Sequence, residues 1–159
     1  MAIRQKTIVQ MRLDATGETH ARSKVRARDV EAIIDEPRER DGTNLGLTPT
    51  ESLMASLIGC TNVISKRIAH GMGVEMGELD VALTANFDRR GTMLQDEIER
   101  PFSDIVMDIT VATDATTEQM EAIKSDLAKF CPIAKVIRGS GVSITENWTV
   151  KPLLIKDIS

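Results

Sequence analysis

Tyrosine is absent from the 159 residues, tryptophan occurs once and phenylalanine three times. A chain this poor in aromatics has no stacking platform for bases, and its core must come from Leu, Ile, Val, Met and Ala. An excess of positive charge is also missing. The net charge of -4 favours solubility and argues against a nucleic-acid binder, whose affinity would rest on neutralising phosphates. No stretch approaches the roughly 18 apolar residues of a membrane span, and the opening MAIRQKTIVQMRLD carries scattered charges where a signal peptide would have an apolar run. We therefore expect a cytoplasmic protein that engages neither membrane nor nucleic acid. Cysteine is scarce as well: Cys60 and Cys131 lie outside any CxxC or Cys/His spacing, so they form neither a zinc site nor a disulfide scaffold. In a reducing compartment such a pair is either inert or catalytic. His20 and His70 are isolated, and no GxGxxG or P-loop is present, so no metal or cofactor is implied.

What is there reads as one α+β domain spanning residues 1–159. Val9, Met11 and Leu13 alternate with polar residues and predict a strand over 7–15. A second strand over 21–28 puts Arg22, Lys24, Arg26 and Arg28 on one wet face, and a third runs from Val30 to Asp35. PRERDGTNLGLT then marks a loop. Thr48-Pro49-Thr50-Glu51 has the form of a capped helix start, with Pro in the first turn and Glu three residues after the Thr. That helix is expected over about 48–71, with Leu53, Leu57, Cys60, Ile64 and Ile68 on one seam. It is apolar nearly all round, so one sheet cannot cover it. Ser52, Ser56 and Gly59 form a stripe of small residues that would let a second helix approach, and the expectation is an obligate homodimer with this helix at its centre. Strands follow over 79–88 and 102–112, then a helix over about 116–131 with Met120, Ile123, Leu127 and Phe130 as its apolar positions. Pro132 disfavours helical backbone at Cys131 and ends it; a short helical turn and a strand over 142–150 complete the chain. The order predicts an α+β fold with antiparallel sheet.

Taken alone, each cysteine reads first as a small buried hydrophobe. Two segments change that: PTESLMASLIGC at 49–60 and FCPIAK at 130–135. They resemble the signature segments of the OsmC/Ohr family, the osmotically inducible and organic hydroperoxide resistance proteins. In that family a Pro and a Glu open a long apolar helix with a Cys near its middle, and a later Cys-Pro closes a second helix. VEAIIDEPRERDGTNLGLTP at 30–49 is similar to the approach to that helix in the OsmC-like branch, so the likeness spans about residues 7–150.

The resemblance implies an intertwined homodimer with active sites at its interface. It also implies a thiol peroxidase for oxidative stress defence. Cys60 would attack an organic hydroperoxide and become a sulfenic acid, Cys131 would condense with it to a disulfide, and an external dithiol would reset the pair. The family further implies an Arg that activates the thiol, held by the Glu that opens the helix. Arg22 is the choice for the Arg, ahead of Arg12 and Arg38. Glu51 fits the Glu, but it equally completes a capping box with Thr48. Nine residues separate Glu51 from Cys60, roughly 900° of rotation and 13.5 Å of rise. They cannot meet along one helix, so Glu51 of one chain would serve Cys60 of the other. Thr50 stands where the Ohr pattern has its Glu. The competing readings are a non-catalytic small-molecule-binding or structural dimer with inert cysteines, and a different thiol chemistry on the same fold.

Overall fold

The computed structural model describes residues 7–153. The chain divides into two compact units, one ending at Leu53 and the other beginning at Met54.

The first unit carries a three-stranded antiparallel sheet in the order β1 (Asp14–Gly17), β2 (Ser23–Ala27) and β3 (Val30–Ile34). The expected first strand over 7–15 is corrected: Ile8, Val9, Met11 and Leu13 are exposed and unpaired within the sheet, and pairing starts at Asp14. The reason is the length of the neighbour. β2 ends one residue past Arg26, the partner of Asp14, so the alternating residues before Asp14 have no strand of this sheet to pair with. After β3 the chain makes a short 3-10 turn at Arg38–Arg40 and a loop that closes back, with Asp35 N–H donating to Leu47 C=O at 3.0 Å. Gly42 and Gly46 are required there, because a Cβ would lie 1.7 Å from the Glu36 carbonyl oxygen and 2.0 Å from that of Ile33. At the end of this unit α1 (Pro49–Gly71) begins on the expected capping box. Thr48 Oγ1 accepts from the Glu51 N–H at 3.2 Å, and Glu51 Oε2 accepts from the Thr48 N–H at 2.8 Å.

In the second unit α1 continues to a glycine stop. Gly73 takes φ 70°, Val74 N–H bonds Ala69 C=O and Gly73 N–H bonds His70 C=O, which satisfies two of the helix's last carbonyls. A sheet in the order β4 (Met76–Phe87), β5 (Phe102–Thr113), β6 (Ser143–Lys151) forms its base. The central strand β5 sends Ile105, Met107, Ile109 and Val111 to one face, and all four are buried. Each contributes about 1.5–3 kcal/mol relative to remaining exposed. Against them pack Met54 and Leu57 of α1, Ile123 and Leu127 of α2 (Thr117–Phe130), and Ala134 and Ile137 of α3 (Pro132–Gly139).

Two expectations change here. The sheet is mixed, not antiparallel: β6 runs parallel to β5, because the chain returns through α2 and α3 between them. The fully buried seam of α1 is Met54, Leu57, Thr61, Ser65 and Ala69, while Cys60, Ile64 and Ile68 flank it half-buried and Leu53 is exposed. Thr61 and Ser65 can be buried because each hydroxyl donates to a carbonyl one turn back, Leu57 and Asn62 respectively. Phe130 is also exposed; Cys131, one residue on, takes the inward position. No helix among the described residues is long and apolar enough to cross a membrane.

Candidate active site

Cys60 sits on α1 beside the buried seam, and Cys131 sits where α2 ends and α3 starts. Cys131 lies outside helical geometry, with φ -71° and ψ 108°, because the ring of Pro132 excludes that geometry for the preceding residue. Its backbone N–H closes α2 on Leu127 C=O, and its sulfur accepts from the Ala134 N–H at 3.4 Å as the cap of α3. The side chain is thus fixed from both sides. It is fully buried, whereas Cys60 is half-buried.

This junction brings the two sulfurs 2.8 Å apart, with the Cys131 thiol donating to Cys60 Sγ. A disulfide needs about 2.05 Å, so a shift of less than an ångström separates the two thiols from a bond. Burial, and then the hydrogen bond given to Cys60, pushes the Cys131 thiol up to about 11, against the opposing pull of the Ala134 and Ile133 N–H groups. Cys131 is therefore a neutral thiol at physiological pH. Ile58, Ile64 and Ile133 belong to the same apolar cluster, so the surroundings of the pair suit an alkyl group better than water.

Of the four residues expected to carry chemistry, the two cysteines are brought together. Glu51 caps its own helix start through one carboxylate oxygen. The Thr48 N–H, then the Thr48 hydroxyl, hold its carboxyl below the usual range, with a further pull from Arg40. Arg22 donates from Nε to Glu18 at 2.8 Å and from Nη1 to Thr43 Oγ1 at 2.9 Å. Among the described residues no hydrogen bond or ion pair joins Arg22 to Glu51. Arg12 pairs with Asp14 at the surface, and Arg38 is exposed on the 3-10 turn. The sequence reading passed over Asp35, a fully buried carboxylate. The signal for it was an acid directly after the apolar pair Ile33-Ile34 and ahead of a loop with closely spaced glycines.

The family of OsmC-like proteins matches residues 42–147, which include both cysteines. The chain belongs to the OsmC-like family. None of the curated proteins matches it. Solved structures share the OsmC-like fold at low identity. The OsmC-like protein of Mycoplasma pneumoniae has a TM-score of 0.74 and 14% identity over 89% of this chain and 97% of its own. The organic hydroperoxide resistance protein OsmC of Legionella pneumophila has a TM-score of 0.66 and 15% identity over 91% and 100%. The organic hydroperoxide resistance protein OhrB of Bacillus subtilis has a TM-score of 0.59 and 18% identity over 89% and 98%.

Proposed function

We propose that this OsmC-like protein is a thiol-dependent peroxidase that reduces organic hydroperoxides in the cytoplasm as part of oxidative stress defence. The observation that carries the reading is the 2.8 Å approach of a half-buried sulfur to a buried, neutral one. Cys60, as its thiolate, attacks the terminal peroxide oxygen. The O–O bond breaks, the alkoxide leaves and takes a proton as the alcohol, and Cys60 becomes a sulfenic acid. The sulfur of Cys131 then attacks that of Cys60. The S–S bond forms as the S–O bond breaks, and the departing hydroxide takes the Cys131 proton as water. An external dithiol returns both cysteines to thiols and is itself oxidised to its disulfide.

In this reading Arg22 supplies the positive charge that favours the Cys60 thiolate. The working form is a homodimer in which Glu51 of one copy contributes to the site of the other. The dimer is supported by the outer face of α1, where Ala55, Gly59 and Val63 are exposed and a Cβ at Gly59 would meet nothing within 4 Å. Sedimentation equilibrium should return twice the 17.5 kDa chain mass; a monomer would refute the dimer.

The test of the chemistry follows cumene hydroperoxide consumption with dihydrolipoamide as reductant. Cys60→Ser should consume none. Cys131→Ser should complete the first reduction and stop at a sulfenic acid that a dimedone-type probe captures. Consumption by Cys60→Ser at the parent rate would overturn the assignment, and a parent protein inert to every hydroperoxide would leave the non-catalytic reading standing.

A further inference from the structure

Among the described residues, two titratable side chains are fully buried, Asp35 in the first unit and Cys131 in the second. Asp35 works inside its own loop. Its carboxylate accepts from the backbone N–H groups of Glu36, Thr43 and Leu45 and from the Thr43 hydroxyl, and those bonds close the segment between β3 and α1. Cys131 does the opposite: its one proton is directed away from its own turn, at Cys60.

The Ala134 and Ile133 N–H groups at the start of α3 donate to the lone pairs of Cys131 Sγ, the former at 3.4 Å, while its own S–H reaches Cys60 Sγ at 2.8 Å. Burial keeps that proton on Cys131 through the physiological range. The two N–H groups draw charge from the sulfur and make the S–H a better donor, since hydrogen bonds in a chain polarise one another. Cys60 has no comparable help from its own helix. It lies about three turns from either end of α1, beyond the reach of the charged helix ends. Among the described residues no other hydrogen bond reaches its sulfur, and the cluster around it is apolar. The charged groups within about two turns of either sulfur are engaged elsewhere or solvated. Lys124 pairs with Glu121, Lys129 with Asp126 and Arg138 with Glu146; Arg67 and Lys135 are exposed, and Lys66 stands about 120° round α1 from Cys60.

We propose that Cys131 activates Cys60 before it resolves it: the Cys131 S–H donates to the Cys60 thiolate and stabilises it against the apolar surroundings that favour the neutral thiol. A hydrogen bond given to the charged form favours that form. Once the sulfenic acid has formed, the donor's sulfur already faces the atom it attacks. The inference rests on the peroxidase reading in taking Cys60 as the attacking thiolate, and it is independent of the charge proposed for Arg22.

The experiment measures the rate of iodoacetamide alkylation at Cys60, read by peptide mapping, against pH in the parent, Cys131→Ala and Cys131→Ser proteins. Cys131→Ala removes the donor. It should move the midpoint to higher pH and slow alkylation at pH 7 about three- to tenfold, the effect of roughly half to one pH unit in the midpoint. Cys131→Ser keeps an O–H donor and should lie closer to the parent. A Cys131→Ala midpoint at the parent value would overturn the proposal, including in a variant that loses melting temperature. Equal shifts in the two variants would also overturn it, because they would assign the effect to lost bulk and not to the lost donor. Alkylation uses no peroxide, so the two readings fail separately. A parent protein inert to hydroperoxides whose profile still shifts in Cys131→Ala keeps the donor role and loses the peroxidase, whereas an active parent with an unmoved profile loses only the donor role.

Discussion

The two sheets of this protein have the same number of strands and are held by different physics. β1, β2 and β3 bury none of their residues, and the unit they belong to is organised by charge: Glu31 takes both Lys24 and Arg26, Glu36 takes Arg40, and Asp35 gathers three N–H groups and a hydroxyl. β4, β5 and β6 carry a central strand whose inward residues are all buried under α1, α2 and α3, and there the ion pairs lie mostly at the rim. The apolar unit fixes the two sulfurs, and the polar unit fixes the Arg22 guanidinium.

Breaking the apolar side should have the largest effect. Ile109→Ala removes a fully buried side chain from the middle of β5 and should cost about 2–5 kcal/mol in denaturant unfolding. Val25→Ala on half-buried β2 should cost less than about 1 kcal/mol. Equal costs would erase the distinction.

Acid should act on the polar side. The folded Asp35 carboxyl lies near 2, below an unfolded value of about 3.9. Its contribution is therefore fully present above about pH 4 and lost as pH falls through 2. Amide exchange at Thr43 and Leu45, corrected for intrinsic rates, should keep its protection at pH 5 and lose it below pH 2. Asp35→Asn should lose it at both. Protection that survives pH 1.5 unchanged would show that the carboxylate does not hold the loop.

The smallest effect should come from the rim of the second unit. Glu121→Gln breaks the exposed pair with Lys124 on α2 and should change stability by less than about 0.5 kcal/mol. A larger loss would mean that charge matters in the second unit as well.

Most of this architecture was legible in the sequence wherever a local rule governed it. The Thr48-Pro49-Thr50-Glu51 cap, the Cys131-Pro132 break and the alternation of β5 each depend on residues a few positions apart. What was missed depended on partners. Val9, Met11 and Leu13 have the period of a strand, but the partner strand has ended by then. The parallel pairing of β6 was readable in principle, since a strand, about 30 residues of helix and connection, and a second strand make a crossover. The buried seam of α1 lies one position round from the expected one, because Thr61 and Ser65 satisfy their own hydroxyls and look polar only on paper. At the site, only the likeness to the OsmC/Ohr pattern paired Cys60 with Cys131 in the sequence; the structure adds the 2.8 Å separation and the buried, neutral state of Cys131. Asp35 went unread because a carboxylate's burial comes from the fold around it.

The most direct test of the central claim is a free-thiol count on the native protein before and after one equivalent of cumene hydroperoxide, with peptide mapping of any new bond. The account predicts two thiols before, none after, and a single Cys60 to Cys131 disulfide. Two thiols unchanged after peroxide would contradict it.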